Sequence, residues 1–200
     1  MVRLLILNGV HNSGKTTLGE SLRNMGYDFQ NEMAEILMSG NETIGMMCAK
    51  DFQKKVIDCE IERDAEISRC ERNAIIETWH IGILAHTYLL GTSEDIKRQE
   101  NYIRNFLNSG NAVHAVFLMT HSKAIDERNT GRRIKVYDSI TPEILDFYTC
   151  IQEKIFSIYD KFSIRNTTID NESINYRIAT VAKILDNHGI SKIANYPNIE

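Results

Sequence analysis

The segment GVHNSGKT, from Gly9 to Thr16, has the residue types and the spacing that bind a phosphate group. Two glycines enclose four other residues, and a lysine and a threonine follow directly. Glycines let the backbone approach a phosphate closely, so that successive N–H groups point at it. The lysine can then reach the outer phosphates of a nucleotide, and the threonine hydroxyl is a ligand for Mg²⁺. The segment therefore predicts a phosphate-binding loop that also holds a metal ion.

Seven residues in and after this loop are predicted to bind the nucleotide. They are Gly9, Asn12, Ser13, Gly14, Lys15, Thr16 and Thr17. ATP is the expected phosphoryl donor and Mg²⁺ the expected metal ion, because the lysine and the hydroxyl suit a triphosphate and its cation. We expect Lys15 to be catalytic and to face solvent until a nucleotide binds. Thr16 is the predicted metal ligand.

A carboxylate and three arginines occupy positions suited to the same chemistry. Glu77 ends an apolar run, where a carboxylate can support the metal ion or act as a base. Arg128, Arg132 and Arg133 lie in a polar stretch, where guanidinium groups can stabilise the charge on a transferred phosphoryl group. The alternatives are a solvated strand end for Glu77 and a solvated charge cluster for the arginines.

Short apolar runs alternate with helical patterns along the chain. Strands are predicted at Leu4 to Leu7, Tyr27 to Gln30, Asn73 to Trp79, Ala112 to Met119 and Phe162 to Ile169. Helices are predicted at Gly14 to Met25 and Ala49 to Arg72, and another begins at Thr141 and Pro142. This alternation is typical of an α/β fold whose parallel sheet is covered by helices on both faces.

The composition narrows the class of protein. The chain has 200 residues, of which 42% are hydrophobic, and a net charge of −4, which favours one globular domain and gives no reason to expect a nucleic-acid partner. No apolar run is long enough to cross a bilayer and no signal-peptide pattern is present, so we expect a cytoplasmic location and no membrane partner. Cys48, Cys59, Cys70 and Cys150 form no CxxC pair and are predicted to be small core residues.

The combination of motifs resembles the nucleoside and nucleoside-monophosphate kinases, including thymidylate-kinase-like proteins. The resemblance rests on GVHNSGKTT, IIETWHIGILAH and DERNTGRR, and it extends over most of the chain. It implies a three-layer P-loop kinase fold with a five-stranded parallel sheet in the order 2-3-1-4-5 and helices on both faces. It also implies a single domain over residues 1–200 with an arginine-rich lid at about residues 128–140.

The same resemblance assigns residues to the phosphoryl acceptor. Glu32 in NEMAEI matches the acidic residue that faces the acceptor hydroxyl, and Gln53 in DFQKKVIDCEIER looks like the glutamine that reads a base edge. The alternative for both is an ordinary polar position in contact with solvent. Thr78 stands where the family often has an arginine that holds the acceptor. Trp79 is predicted either to pack in the core or to stack on the acceptor.

These features together predict ATP-dependent phosphoryl transfer to a nucleoside, a nucleotide or a similar small metabolite. The missing arginine after Glu77, with Glu32 and Glu35 nearby, favours a hydroxyl acceptor and Glu32 as its base. The alternative is a P-loop NTPase that acts as a regulatory or binding module. His80 and His86 are six residues apart, which is not a same-face helical spacing, so zinc is not predicted. A homodimer is left open.

Overall fold

Strand β1 lies at the centre of the sheet, and its residues Leu4 to Leu7 are buried. The computed structural model describes residues 1–40, 49–120, 141–170 and 173–193. Its strands are β1 (Arg3–Asn8), β2 (Phe29–Gln30), β3 (Ala74–Glu77), β4 (Ala112–Leu118) and β5 (Arg165–Ile169). They form one parallel sheet in the order β2-β3-β1-β4-β5. This order confirms the predicted one.

Helices cover both faces of this sheet. They are α1 (Lys15–Asn24), α2 (Met33–Gly40), α3 (Ala49–Arg69), α4 (Trp79–Leu90), α5 (Ser93–Asn108), α6 (Pro142–Phe162) and α7 (Ile174–Asn187). Alternate residues of β1 point into opposite layers, because successive side chains of a strand lie on opposite faces. Leu4 and Ile6 pack in the core cluster that includes residues of α4, α5 and α6. Leu5 and Leu7 pack in a second cluster with residues of α1 and α7. The fold is therefore the predicted three-layer α/β arrangement.

The strand register brings the candidate site residues to one edge of the sheet. Leu7 is level with Glu77 of β3 and with Val116 of β4, and the Thr78 N–H donates to the Leu7 carbonyl at 2.9 Å. Because all of the strands are parallel, their carboxyl ends meet at this edge. The loop after β1 and the carboxylate at the end of β3 therefore face the same space.

The ends of several elements differ from their predicted positions. Helix α6 continues to Phe162, so the residues before Arg165 are not part of β5. Ser163, the residue that follows the helix, has a left-handed φ of 52°. The sequence pattern did not reveal this end, because apolar residues such as Phe162 and Ile164 fit the end of a buried helix as well as the start of a strand. Helix α4 was not predicted, since most of it is buried and it lacks the periodic polar face that marks a surface helix.

The prediction that the cysteines are core residues is wrong for two of them. Cys70 and Cys150 are exposed and Cys59 is half-buried, while Cys48 lies outside the described residues. Cys70 directly follows the last residue of α3. None of the described helices is both long enough and apolar enough to span a membrane.

Candidate functional site

The loop between β1 and α1 has the backbone shape of a phosphate cradle. Asn12 and Gly14 have positive φ angles of 62° and 92°, and α1 begins directly after Gly14. A Cβ atom on Gly9 would lie 2.6 Å from Ser13 Oγ and 2.7 Å from the Leu118 carbonyl oxygen, so only glycine fits there. When successive residues alternate between right-handed and left-handed helical backbone angles, their N–H groups point to the same side. The first turn of a helix adds partial positive charge there. This arrangement suits an anion such as a phosphate group.

Lys15 does not face solvent, which contradicts our expectation. Its side chain is only 6% exposed, and its ammonium group donates to the carbonyl oxygens of Gly9 at 3.1 Å and Val10 at 3.2 Å. A buried ammonium group needs such partners because its charge has lost most of its hydration. The loop carbonyls therefore hold the charge of Lys15 beside the cradle, where a phosphate oxygen could replace them.

Glu77 pairs with Thr16 at the end of β3. The Thr16 hydroxyl donates to Glu77 Oε1 at 2.9 Å, and the carboxylate is only 2% exposed. Burial raises the pKa of Glu77 to about 7, Lys15 acts against this shift, and the charge of Glu32 adds to it. Glu77 is therefore not a solvated strand end.

The free oxygen of Glu77 leaves room for a further ligand. Within the described part of the chain, Glu77 Oε2 is buried and has no hydrogen-bond partner. A hydroxyl oxygen and a carboxylate oxygen are hard donors of the kind that Mg²⁺ prefers. Thr16 and Glu77 are thus the described residues that could support a magnesium ion.

A cavity of about 220 Å³ opens next to the phosphate loop. Its walls come from the loop and from α2, α3, α4 and α6, with the segment before α2 contributing Glu32. Phe52, Phe147 and Tyr148 give part of the wall an aromatic character, and Glu32, Gln53 and His86 add polar groups. Lys15 of the phosphate loop also lines the cavity. The cavity therefore combines aromatic and other apolar side chains with a few polar groups, as pockets for small molecules commonly do.

Glu32 interacts electrostatically with two buried groups, Glu77 at the end of β3 and His86 of α4. Glu32 raises the pKa of Glu77, and it raises the pKa of His86 against the larger lowering that burial causes. Glu32 is thus close enough to influence both groups. Glu35 does not line the cavity and is exposed. His86 was not assigned to the site from the sequence, although its spacing from Gly82 and Ile83 on α4 places all three on one helix face, which lines the cavity.

The hydrogen bonds of Gln53 fix the orientation of its amide group. Gln53 Nε2 lies 3.2 Å from the Ile83 carbonyl oxygen and 2.7 Å from Thr87 Oγ1. A carbonyl oxygen can only accept, so the nearer amide atom is the nitrogen. The carbonyl oxygen of Gln53 is then the atom that remains for a ligand in the cavity.

Trp79 lies in the core rather than against the cavity. Its side chain is fully buried, and its indole N–H donates to both carboxylate oxygens of Asp64, at 2.8 and 3.1 Å. Its ring also contacts Phe106 edge-on, with 5.4 Å between the ring centres. This position contradicts the prediction that Trp79 stacks on an acceptor and agrees with the alternative that it packs in the core. An apolar ring with one N–H donor suits either place, so its residue type could not separate them.

The backbone after Glu77 adopts an unusual conformation. Thr78 has a φ of 72° and Trp79 a φ of 45°. Residues other than glycine rarely adopt positive φ angles. Thr78 lines the cavity, and a Cβ atom on Gly82 would lie 2.4 Å from Thr78 Cγ2. Strained residues of this kind are concentrated at functional sites. The strain therefore coincides with the candidate site and not with a surface turn.

The three predicted lid arginines, Arg128, Arg132 and Arg133, lie outside the described residues, as does the whole segment 128–140. Another arginine was missed. Arg177 of α7 is 3% exposed and donates to the Ser13 carbonyl oxygen at 2.7 Å. The two residues are 164 positions apart, so no local pattern connects them.

Comparisons with known proteins identify related folds. No protein family and no curated protein sequence matches the chain. A thymidylate kinase from Candida albicans has a similar structure, with a TM-score of 0.60 and 16% identity over 96% of this chain and 95% of the other. A deoxyadenosine kinase from M. mycoides gives a TM-score of 0.58 and 15% identity over 93% and 100%. The NadR protein in complex with NR gives a TM-score of 0.63 and 18% identity over 98% of this chain and 54% of the other.

These likenesses and the strand order define the class of fold. The chain has a fold like that of the P-loop nucleoside and nucleoside-monophosphate kinases. The likeness extends over more than nine tenths of the chain in each of the three structures. Because fold does not determine function, the reaction has to be argued from the site.

Proposed function

We propose that this protein transfers the γ-phosphoryl group of ATP to a small metabolite that resembles a nucleoside. The observation that supports this function best is a cavity lined by the phosphate loop and by the carboxylate Glu32, next to the buried carboxylate of Glu77, which accepts from Thr16 of the loop. A phosphoryl-transfer site needs these groups together, because it positions a donor and an acceptor and balances the charge between them.

The donor side of the reaction is carried by the loop. The backbone N–H groups of residues 9–14, together with Ser13, Thr16 and Thr17, bind the phosphates in this proposal, and Lys15 leaves the loop carbonyls to contact the outer phosphates. Mg²⁺, when bound, would draw charge from the phosphate oxygens and would be held by Thr16 and Glu77. Binding of the cation would favour the charged form of Glu77 and so lower its raised pKa.

The acceptor side is carried by the cavity. Among the lining residues that the structure describes, Lys15 is the only lysine or arginine, whereas Glu32 is a carboxylate. A monophosphate acceptor would need positive charge to hold it, but a hydroxyl acceptor needs a base. We therefore assign to Glu32 the removal of the hydroxyl proton, and to Gln53 the contact with the acceptor's polar edge.

Other parts of the proposal rest on the sequence. The arginines Arg128, Arg132 and Arg133 would stabilise the transferred group from a lid at about residues 128–140, within a single domain of residues 1–200. The acceptor is a small molecule, and the location is cytoplasmic.

A panel of acceptors tests this function. The purified protein is incubated with ATP, Mg²⁺ and either nucleosides or the matching 5′-monophosphates, and conversion of ATP to ADP is measured. We expect ADP formation to depend on the acceptor and to be faster with a nucleoside than with its monophosphate. Lys15→Ala should lose this activity, while Lys183→Ala, on the exposed side of α7, should keep it. A preference for the monophosphate would refute the assignment of the acceptor, and full activity of Lys15→Ala would refute that of the loop.

A further inference from the structure

A buried arginine from the last described helix contacts the outside of the phosphate loop. Arg177 lies in the first turn of α7, where its backbone N–H donates to the carbonyl of Ser173, and its guanidinium Nη1 donates to the Ser13 carbonyl at 2.7 Å. Hydrogen bonds from a charged donor are stronger than those between neutral groups. The side chain is only 3% exposed, so water competes little for this bond.

The position of α7 is itself fixed by packing. Val181 and Leu185 of α7 are fully buried in the same core cluster as Leu18 and Leu22 of α1. The helix that carries Arg177 is therefore anchored against the helix that follows the phosphate loop. An anchored donor can hold the loop in one conformation, whereas a donor on a mobile segment could not.

The geometry of the peptide bond connects this contact to phosphate binding. The peptide bond between Ser13 and Gly14 is trans, as are all of those in the described residues. The Ser13 carbonyl and the Gly14 N–H therefore lie in one plane and point in opposite directions within it. Arg177 holds the Ser13 carbonyl towards α7. The N–H of Gly14 must then point away from α7. A phosphate cradle needs its N–H groups on the inner side and its carbonyls on the outer side.

We propose that Arg177 is a positioning residue that orients the Gly14 N–H for phosphate binding. The neighbouring backbone is consistent with this role, because Asn12 and Gly14 both have positive φ angles. A loop with two left-handed residues has other accessible conformations in which this peptide plane is rotated. Losing the bond from Arg177 would release the peptide and reduce the affinity for the phosphates. The proposal rests on the proposed function, since it assumes that the loop binds a nucleotide.

Calorimetric titration of matched variants tests this role. ATP and inorganic tripolyphosphate are titrated into the wild type, Arg177→Met, Arg177→Lys and the control Lys183→Met. The control removes a positive charge from an exposed position on the same helix. We expect Arg177→Met to bind both ligands at least about tenfold more weakly, since a bond to a charged group has a net value of this order. Arg177→Lys should recover part of the affinity, and Lys183→Met should match the wild type.

The outcomes separate this proposal from the proposed function. If the wild type binds neither ATP nor tripolyphosphate, the proposed function is refuted. If the wild type binds both and Arg177→Met binds as tightly as Lys183→Met, the positioning role alone is refuted. A lower melting temperature of Arg177→Met with unchanged affinity in the folded protein would also refute it, because a purely structural role predicts that result.

A second measurement applies if Arg177→Met does not fold. The amide resonance of Gly14 is followed by NMR in the wild type and in Arg177→Lys while tripolyphosphate is added. We expect a large shift of this resonance in the wild type and a smaller one in the variant at saturation. Equal shifts would show that the Gly14 N–H meets the phosphate without the guanidinium group, and would overturn the proposal.

Discussion

Replacing Glu77 with glutamine should stabilise the protein without ligands while impairing phosphoryl transfer. Burial raises the pKa of Glu77 to about 7, compared with 4.5 in its unperturbed state. The folded protein therefore holds the proton more tightly than the unfolded chain does. The contribution of this carboxyl group to stability is highest at low pH and falls as the pH rises from about 4.5 to about 7, where the folded carboxyl ionises. Well above pH 7 the free-energy cost of burying the ionised carboxylate no longer changes with pH.

The magnitude follows from the size of the shift. One pKa unit corresponds to about 1.4 kcal/mol, so the penalty for the ionised carboxylate approaches about 3 kcal/mol at pH 8. Glutamine keeps the oxygen that accepts from Thr16, but its amide group replaces Oε2, which has no partner within the described ranges. A buried unpaired amide costs about 1 kcal/mol. At pH 8 the variant should therefore be more stable than the wild type by about 2 kcal/mol.

Urea denaturation at pH 5 and pH 8, without Mg²⁺ or nucleotide, measures this difference. The stability of Glu77→Gln relative to the wild type should increase by about 2.5 kcal/mol between the two pH values, because the cost of the amide is the same at both. Glu153→Gln, at an exposed position on α6, is the matched control and should show no such change. If Glu77→Gln is no more stable relative to the wild type at pH 8 than at pH 5, the reasoning about the buried carboxylate is wrong.

Three further predictions concern the base, the loop and the opposite end of the sheet. Glu32→Gln should lower turnover on a nucleoside by about 10² to 10⁴ with little change in ATP affinity, and a loss within about threefold in steady-state kinetics would remove its role as base. Gly9→Ala should abolish ATP binding in calorimetry, because its Cβ would lie 2.6 Å from Ser13 Oγ; unchanged affinity would contradict the described loop. Burial, with His188 and Arg165, lowers the pKa of His114 to about 4. This pKa difference corresponds to about 2 kcal/mol between pH 7 and pH 5, and solvent screening of the half-buried ring reduces it to about 1 kcal/mol. The wild type should lose that much more stability than His114→Asn over this range, as measured by urea denaturation, and equal losses would exclude this origin.

The parts of the fold that could be predicted were those encoded by neighbouring residues. The apolar run of β1, the glycines after it and the start of α1 form one continuous signal, so this unit was located to within about a residue. The strand order came instead from the resemblance to a family, because pairing between strands is a long-range property. The end of α6 was missed because apolar residues continue past it.

In the candidate site, too, the residues of local motifs were predicted and those brought in by long-range packing were not. Lys15, Thr16 and Glu77 follow from motif and position, and the structure brings them together. His86 and Arg177 reach the site from α4 and α7, and their contacts depend on how these helices pack. The sequence also could not show that Lys15 is buried, because its partners are backbone carbonyls, which every residue type has.

Direct identification of the reaction products is the most direct test of phosphoryl transfer. The wild type is incubated with ATP, Mg²⁺ and its best acceptor from the panel, and the phosphorus-containing products are quantified by ³¹P NMR. Transfer predicts that ADP and a phosphorylated acceptor form in equal amounts, with little inorganic phosphate. ADP that appears together with an equal amount of inorganic phosphate, whether or not an acceptor is present, would show an NTPase and contradict the proposed function.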